Sequence, residues 1–163
     1  MERKSSKHSI LFVCLGNICR SPAAEGIMKK MVEEHGLTAA IAVDSAGIGA
    51  WHIGQLPDQR MRRCGAAHGY SFDSRARQIG RDDFARFDTI VVMDNENYRA
   101  VTSLAPSEED KKKVVRCADF LSRHRNYTTI PDPYYGGEED FELVITLLED
   151  ALEGLLRWIN TSL

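Results

Sequence analysis

The chain of 163 residues lacks any long hydrophobic run. Its apolar stretches are short, as at Ile10 to Cys14 and Thr89 to Met93. A membrane helix needs ~20 such residues, so membrane insertion is not expected. A basic excess is also missing: 21 Lys and Arg stand against 24 Asp and Glu, a net charge of −3. That balance disfavours a generic nucleic-acid binder. The polar, basic stretch from Met1 to His8 is followed by too few apolar residues for a signal-peptide core. The four cysteines, Cys14, Cys19, Cys64 and Cys117, are therefore expected as free thiols in a reducing compartment, and the location as cytoplasmic. No C-x-x-C pair is present, and no metal site or cofactor is expected. Internal repeats, low-complexity tracts and long linkers are absent. Residues 1–163 read as one domain, with residues 1–7 flexible. Hydrophobic residues at 43% and charged residues at 28% exclude a disordered chain.

What remains is an alternation of strand and helix. Ser9 to Cys14 is a near-continuous apolar run, as in a strand buried on both faces. Ile41 to Ser45, Thr89 to Met93 and Val114 to Cys117 read as three further strands. Helical periodicity predicts a helix over Pro22 to His35, with Gly36 behind it. The same pattern marks Asp58 to His68, a short turn at Asp82 to Phe87, Asn95 to Leu104, and a long amphipathic helix over Glu139 to Ile159. Such an order implies an α/β fold, with a mainly parallel four-stranded sheet and helices on both faces. Ligands in such folds bind at the carboxyl ends of the strands. The loop leaving the first strand is therefore the informative one.

That loop runs from Cys14 through Leu15, Gly16, Asn17, Ile18 and Cys19 to Arg20, Ser21 and Pro22. Pro22 suits the first helical position and Ser21 the N-cap. Gly16 and Asn17 tolerate left-handed backbone. The amides of residues 15–20 would converge at a helix N-terminus and bind a tetrahedral dianion, with Arg20 returning its planar fork to the same oxygens. Cys14 would lie beneath that anion, where the positive potential favours a thiolate aimed at phosphorus. Taken alone, a strand-end cysteine is most often a small buried hydrophobe, and an arginine near a helix start a solvated charge. The joint pattern, strand then Cys-x5-Arg-Ser-Pro then helix, is far more specific.

The segment Val13 to Pro22 resembles the signature of the low-molecular-weight protein tyrosine phosphatases. The resemblance extends through Val43 to Gly47, Trp51-His52, Pro57-Asp58, Ala76 to Ile79, Asp83-Phe84, Met93-Asp94 and Asp132 to Gly136. It implies a four-stranded parallel sheet and hydrolysis of phosphotyrosine, and of small aryl phosphates, through a cysteinyl-phosphate. Phosphotyrosine-containing proteins would be the partners; the oligomeric state is open from sequence, with a monomer as the default expectation.

The resemblance also implies roles. Cys14 is the nucleophile, and Arg20 and the loop amides hold the phosphoryl oxygens. Ser21, otherwise a plain N-cap, helps the thiolate leave in the second step. Asp132 lies between two prolines and by itself reads as a turn residue; the resemblance makes it the general acid. Trp51, His52, Tyr134 and Tyr135 wall the crevice, where a substrate ring stacks. Asn17 and Ser45 brace the loop, and Ser74 stands where that network is expected to have a histidine. Asp94 reads as an N-cap rather than a catalytic residue. Cys19 sits close enough in sequence to trap an oxidised Cys14 as a disulfide, or else simply fills space. Cys64 and Cys117 read as core residues.

Two rivals share parts of this pattern. An arsenate reductase needs shuttling cysteines near the third strand, and Arg81 to Ser107 holds none. A phosphate-binding module without turnover needs neither the thiol nor the acid, yet Cys14, Arg20 and Asp132 are all present.

Overall fold

The computed structural model describes residues 7–163. The flexibility expected of residues 1–7 therefore falls, except at Lys7, outside the described residues. Four strands, β1 (His8–Cys14), β2 (Ile41–Gly47), β3 (Thr89–Val92) and β4 (Val114–Arg116), form one sheet in the order β2-β1-β3-β4. Every pairing is parallel. The helices are α1 (Arg20–Glu34), α2 (Gln59–Ala67), α3 (Asp83–Arg86), α4 (Asn95–Thr102), α5 (Glu108–Lys111) and α6 (Glu138–Asn160).

Side chains along a strand alternate between faces, and β1 is apolar on both. Ile10, Phe12 and Cys14 join the larger core with Ile27 and Met28 of α1 and Phe141, Val144 and Leu148 of α6. Leu11 and Val13 join the smaller core with Phe84 of α3 and Val101 of α4. Ile10 through Val13 are fully buried, and each such side chain contributes roughly 1.5–3 kcal/mol. β1 lies between β2 and β3, so the chain leaves its C-terminal end toward one side and later returns on the other. Parallel sheets open a crevice at that point of reversal, and Cys14 stands there.

Helix starts follow local chemistry. Asp58 caps α2 by accepting from Arg60 N at 2.9 Å, and Asp94 caps α4 by accepting from Asn97 N at 2.8 Å. Asp140 Oδ2 reaches back to Gly137 N at 2.8 Å at the start of α6. The start of α1 differs from the sequence expectation. It begins at Arg20 with Cys19 as N-cap, so Ser21 is inside the helix rather than its cap. Proline is tolerated throughout a first turn, because none of those N–H groups has an intrahelical partner; Pro22 thus marked the turn but not its first residue. β4 ends at Arg116, and Cys117 opens a short 3-10 turn (Cys117–Phe120), buried as expected. The short α5, capped by Ser107 through Asp110 N at 3.1 Å, has too few apolar positions to show periodicity.

One buried charge holds the segment that leads toward Asp132. Asp150, on α6 and without exposed surface, accepts from Ser122 N at 3.1 Å, Arg123 N at 2.9 Å and His124 N at 3.0 Å. Ser122 Oγ at 3.0 Å and His124 Nδ1 at 2.9 Å complete the set. Burial pushes this carboxyl upward, but the donors from His124, Ser122 and Arg123 outweigh it and hold it below the usual carboxylate range. The unfolded chain therefore takes up this proton at higher pH than the folded one. The stabilisation is complete above ~pH 4 and is lost as pH falls through the depressed folded value. Asp150→Asn should cost about 2–4 kcal/mol at neutral pH. Denaturant melts across pH should show the gap from wild type narrowing below ~pH 4; an unchanged gap would mean that the ionised carboxylate is not the source.

Candidate active site

The loop between β1 and α1 crosses the C-terminal end of the sheet and turns on Asn17, whose φ is 58°. Of the two residues suited to left-handed backbone, this one adopts it. Asparagine also supplies what glycine lacks. Its Nδ2 donates to Ser21 Oγ at 2.8 Å and to Ser45 Oγ at 3.0 Å, and its Oδ1 accepts from Arg77 N at 3.0 Å. Ser45 Oγ in turn donates to Glu25 Oε1 at 2.6 Å. Asn17, Ser45 and Glu25 are all buried, and a fully satisfied buried network of this kind fixes one loop geometry. Gly47 lets the loop lie against β2, since a Cβ there would sit 2.9 Å from Asn17 N and from Gly16 C.

Ser74 does not join this brace. It is half-buried and makes no side-chain hydrogen bond among the described residues. Asn17 Oδ1 accepts instead from the backbone N–H of Arg77. Arg77 is pinned by Asp44 at 3.1 Å and Asp83 at 3.0 Å.

Cys14 lies at the floor of the cleft, 2% exposed. Its Sγ is 3.0 Å from Ser21 Oγ and accepts from Ser21 N at 3.4 Å. Placing Ser21 inside the first turn of α1 is what brings both its N–H and its hydroxyl within reach of the sulfur. Arg20 is equally buried. Its Nη1 donates to Asp94 Oδ2 at 2.8 Å and to the Ile130 carbonyl at 2.9 Å. Burial works against its charge, but Cys14, Asp94 and Asp132 more than compensate, and the guanidinium is held charged. Its Nε has no hydrogen-bond partner, and Nη2 makes only a 3.6 Å approach to Asp132 Oδ2. One edge of the planar fork is thus anchored and the other is left for an oxyanion.

The cleft above has a volume of about 380 Å³ and is lined by the loop, Trp51, His52, Asp132, Tyr134 and Tyr135. Trp51 is 66% exposed and Tyr135 is 96% exposed, so both are rim residues rather than core. The His52 ring rests against Gly16 and hydrogen-bonds Gln55. Tyr134 and Tyr135 meet edge to face, with centroids 4.9 Å apart. Asp132 is carried there by Ile130, whose N–H bonds the Met93 carbonyl at 2.9 Å. Its Oδ1 accepts from Tyr134 N at 3.1 Å. Arg60 donates to the Tyr134 carbonyl at 3.0 Å and lies over the Tyr134 ring. Cys19 is buried in the same loop. Burial first, with Asp58, Cys14 and Asp132 adding to it, pushes its thiol above the ordinary range.

The structure therefore brings together every expected site residue except Ser74. Sequence reasoning missed Glu25, Arg77 and Arg60, and saw only half of Asp94, which caps α4 and also orients Arg20. Glu25 left a signal: it is one turn after Ser21, a charge on the face that α1 buries.

Residues 9–163 match the family model described as low molecular weight phosphotyrosine protein phosphatase. A Streptomyces coelicolor low molecular weight protein-tyrosine-phosphatase is 42% identical over 155 residues, covering 94% of each chain. The crystal structure of a protein tyrosine phosphatase from Entamoeba histolytica, with Hepes in its active site, superimposes with a TM-score of 0.93. It is 46% identical and the match covers 96% of this chain and 99% of that one. YfkJ from Bacillus subtilis superimposes with a TM-score of 0.89 at 39% identity, over 98% of this chain and 99% of its own.

The brace can be tested separately from the backbone turn. Asn17→Gly keeps the left-handed turn and removes three hydrogen bonds. Orthovanadate affinity, read by calorimetry, should fall about 10–100-fold, and the melting temperature should drop by several degrees as the buried partners lose their bonds. Equal affinity would show that the loop holds its shape without the brace.

Proposed function

The chain belongs to the low molecular weight phosphotyrosine protein phosphatase family and is a protein-tyrosine phosphatase, a hydrolase; from that premise we propose how this cleft performs the reaction. The carrying observation is the buried Cys14 sulfur beneath a loop whose Arg20 keeps an unpartnered Nε. The amides of residues 15–20 and the free edge of Arg20 hold the three phosphoryl oxygens as charge spreads in a loose transition state. Cys14 Sγ attacks phosphorus: the S–P bond forms, the aryl P–O bond breaks, and Asp132 gives its proton to the departing phenolate oxygen. In the second step Asp132, now a carboxylate, takes a proton from water. The water oxygen bonds phosphorus, the S–P bond breaks, and Ser21 Oγ stabilises the leaving thiolate.

Thiol, guanidinium and carboxylic acid together supply every role, and no step is routed through a metal or cofactor. The walls set the specificity. Trp51, Tyr134 and Tyr135 flank a cleft with the sulfur at its floor, so a phenyl ring bridges rim to sulfur whereas a phosphoserine side chain falls short. Phosphotyrosine-containing proteins are the substrates of this reading, and the enzyme acts as a single-domain monomer in the cytoplasm. No helix among the described residues is long and apolar enough to cross a membrane. Cys19, in the same loop and lining the same cleft as Cys14, gives the site a redox safeguard. When peroxide turns Cys14 into a sulfenic acid, the Cys19 sulfur displaces water and a disulfide forms.

With chelator present, the wild type should hydrolyse phosphotyrosine peptides and leave phosphoserine peptides intact. Cys14→Ser should lose more than ~1000-fold in kcat; retained turnover would overturn the mechanism. Asp132→Ala should lower kcat by about 10²–10⁴-fold for poor phenolate leaving groups and much less for good ones. A uniform loss along the leaving-group series would remove the acid role. Ser21→Ala should slow breakdown of the intermediate about 100-fold. A larger phenol burst in stopped flow is the sign of it, and an unchanged second step would exclude this hydroxyl.

A further inference from the structure

Three side chains that the phosphatase reaction does not use converge on the far flank of α2. We infer that Cys64, His68 and Glu142 form a binding site for a zinc-class divalent cation. Cys64 and His68 are four residues apart on α2 and its C-terminal cap, so they project from the same face. Glu142 comes from α6, 78 residues beyond Cys64. One sulfur, one imidazole nitrogen and one carboxylate oxygen lie within 4.8 Å of one another. The Cys64 thiol donates to Glu142 Oε1 at 3.0 Å, and His68 Nε2 contacts Glu142 Oε2. Metal–ligand bonds of ~2.0–2.3 Å in a tetrahedron place ligand atoms roughly 3.3–3.7 Å apart. The three donor atoms therefore already stand close to the spacing that an ion at their centre requires.

The donor set selects the metal. Thiolate with imidazole suits zinc, whereas magnesium and calcium need oxygen ligands throughout. Three protein ligands leave a fourth position for water. Glu138, one turn ahead of Glu142 on α6, adds negative charge close to the Cys64 sulfur. The entry path is open, since the Glu142 side chain is 48% exposed and His68 30%, with the sulfur beneath them. On binding, the thiol proton leaves to solvent and the ion replaces the hydrogen bonds that now join the three groups. Two helices are then tied by a metal instead of by shared protons. The cysteine spacing concealed this site, because a search for C-x-x-C pairs does not see a thiol completed by an imidazole one turn on and a carboxylate from another helix. The plainer reading of the same contacts is a hydrogen-bonded clamp between α2 and α6 with no affinity for metal.

Cobalt(II) distinguishes the two. One equivalent added to the metal-free full chain should produce a thiolate-to-cobalt charge-transfer band in the near ultraviolet. The band should persist in Cys14→Ser, which removes the thiol at the floor of the phosphate cleft. It should vanish in Cys64→Ser, whose unchanged aryl-phosphate hydrolysis reports an intact fold. Competition against a chromophoric chelator should show zinc affinity falling about 10–100-fold in His68→Ala and Glu142→Gln. Glu142→Gln alters a half-exposed residue, so it reads the site even where Cys64→Ser folds poorly. A band that survives Cys64→Ser, that never forms in Cys14→Ser, or a zinc affinity untouched by Glu142→Gln overturns the site.

Discussion

A charged guanidinium buried to 2% exposure is the constraint on which this molecule depends. Such a group is costly to bury unless it is paired. Asp94 and the Ile130 carbonyl satisfy one edge of Arg20, and that pairing leaves the other edge directed to a different partner. Three distant parts of the chain thereby meet at one residue. α1 supplies the arginine, the end of β3 supplies Asp94, and the segment carrying Asp132 supplies Ile130. The anion site and the proposed acid share a single anchor, so the distance between them is set by the same contacts that make Arg20 affordable.

The second requirement is stiffness in a loop with almost no secondary structure. A turn at Asn17 with positive φ opens the loop, and its side chain ties that turn to α1, β2 and the backbone at Arg77. Buried polar networks are high-stakes, since a missing member leaves the others unpaired in a low-dielectric interior. Here the chain Glu25–Ser45–Asn17–Ser21 ends at the Cys14 sulfur itself. The phosphatase thus couples core polar residues to the group proposed to attack phosphorus. Its rim, by contrast, is exposed. Trp51 and Tyr135 are mostly in solvent, as suits a surface that must receive phosphoprotein substrates.

Much of this was open to reading from local pattern. The two-faced apolar run of β1, the helical stripes of α1 and α6, and the Cys14-x5-Arg20 loop depend on neighbours within a few residues. The parallel sheet followed from their alternation, because a helix between two strands returns the chain to the end where the first strand began, so the next strand runs the same way. Even the misplaced start of α1 was a small error of the same local kind: proline marks a first turn without numbering it.

What the sequence by itself determined is therefore the fold class, the loop and the identity of its sulfur and arginine, all consequences of short-range steric and periodic rules. Tertiary packing alone decided that Asp94 would hold Arg20 as well as cap α4, that Ser74 would drop out of the brace, and that Asp150 would gather the Ser122–His124 turn. It also brought Cys64 and Glu142 to one point from separate helices. Those contacts join residues far apart in the chain. Their distances follow from how helices dock on the sheet, and hydrophobic periodicity says which face is buried but not which polar groups meet at its edge.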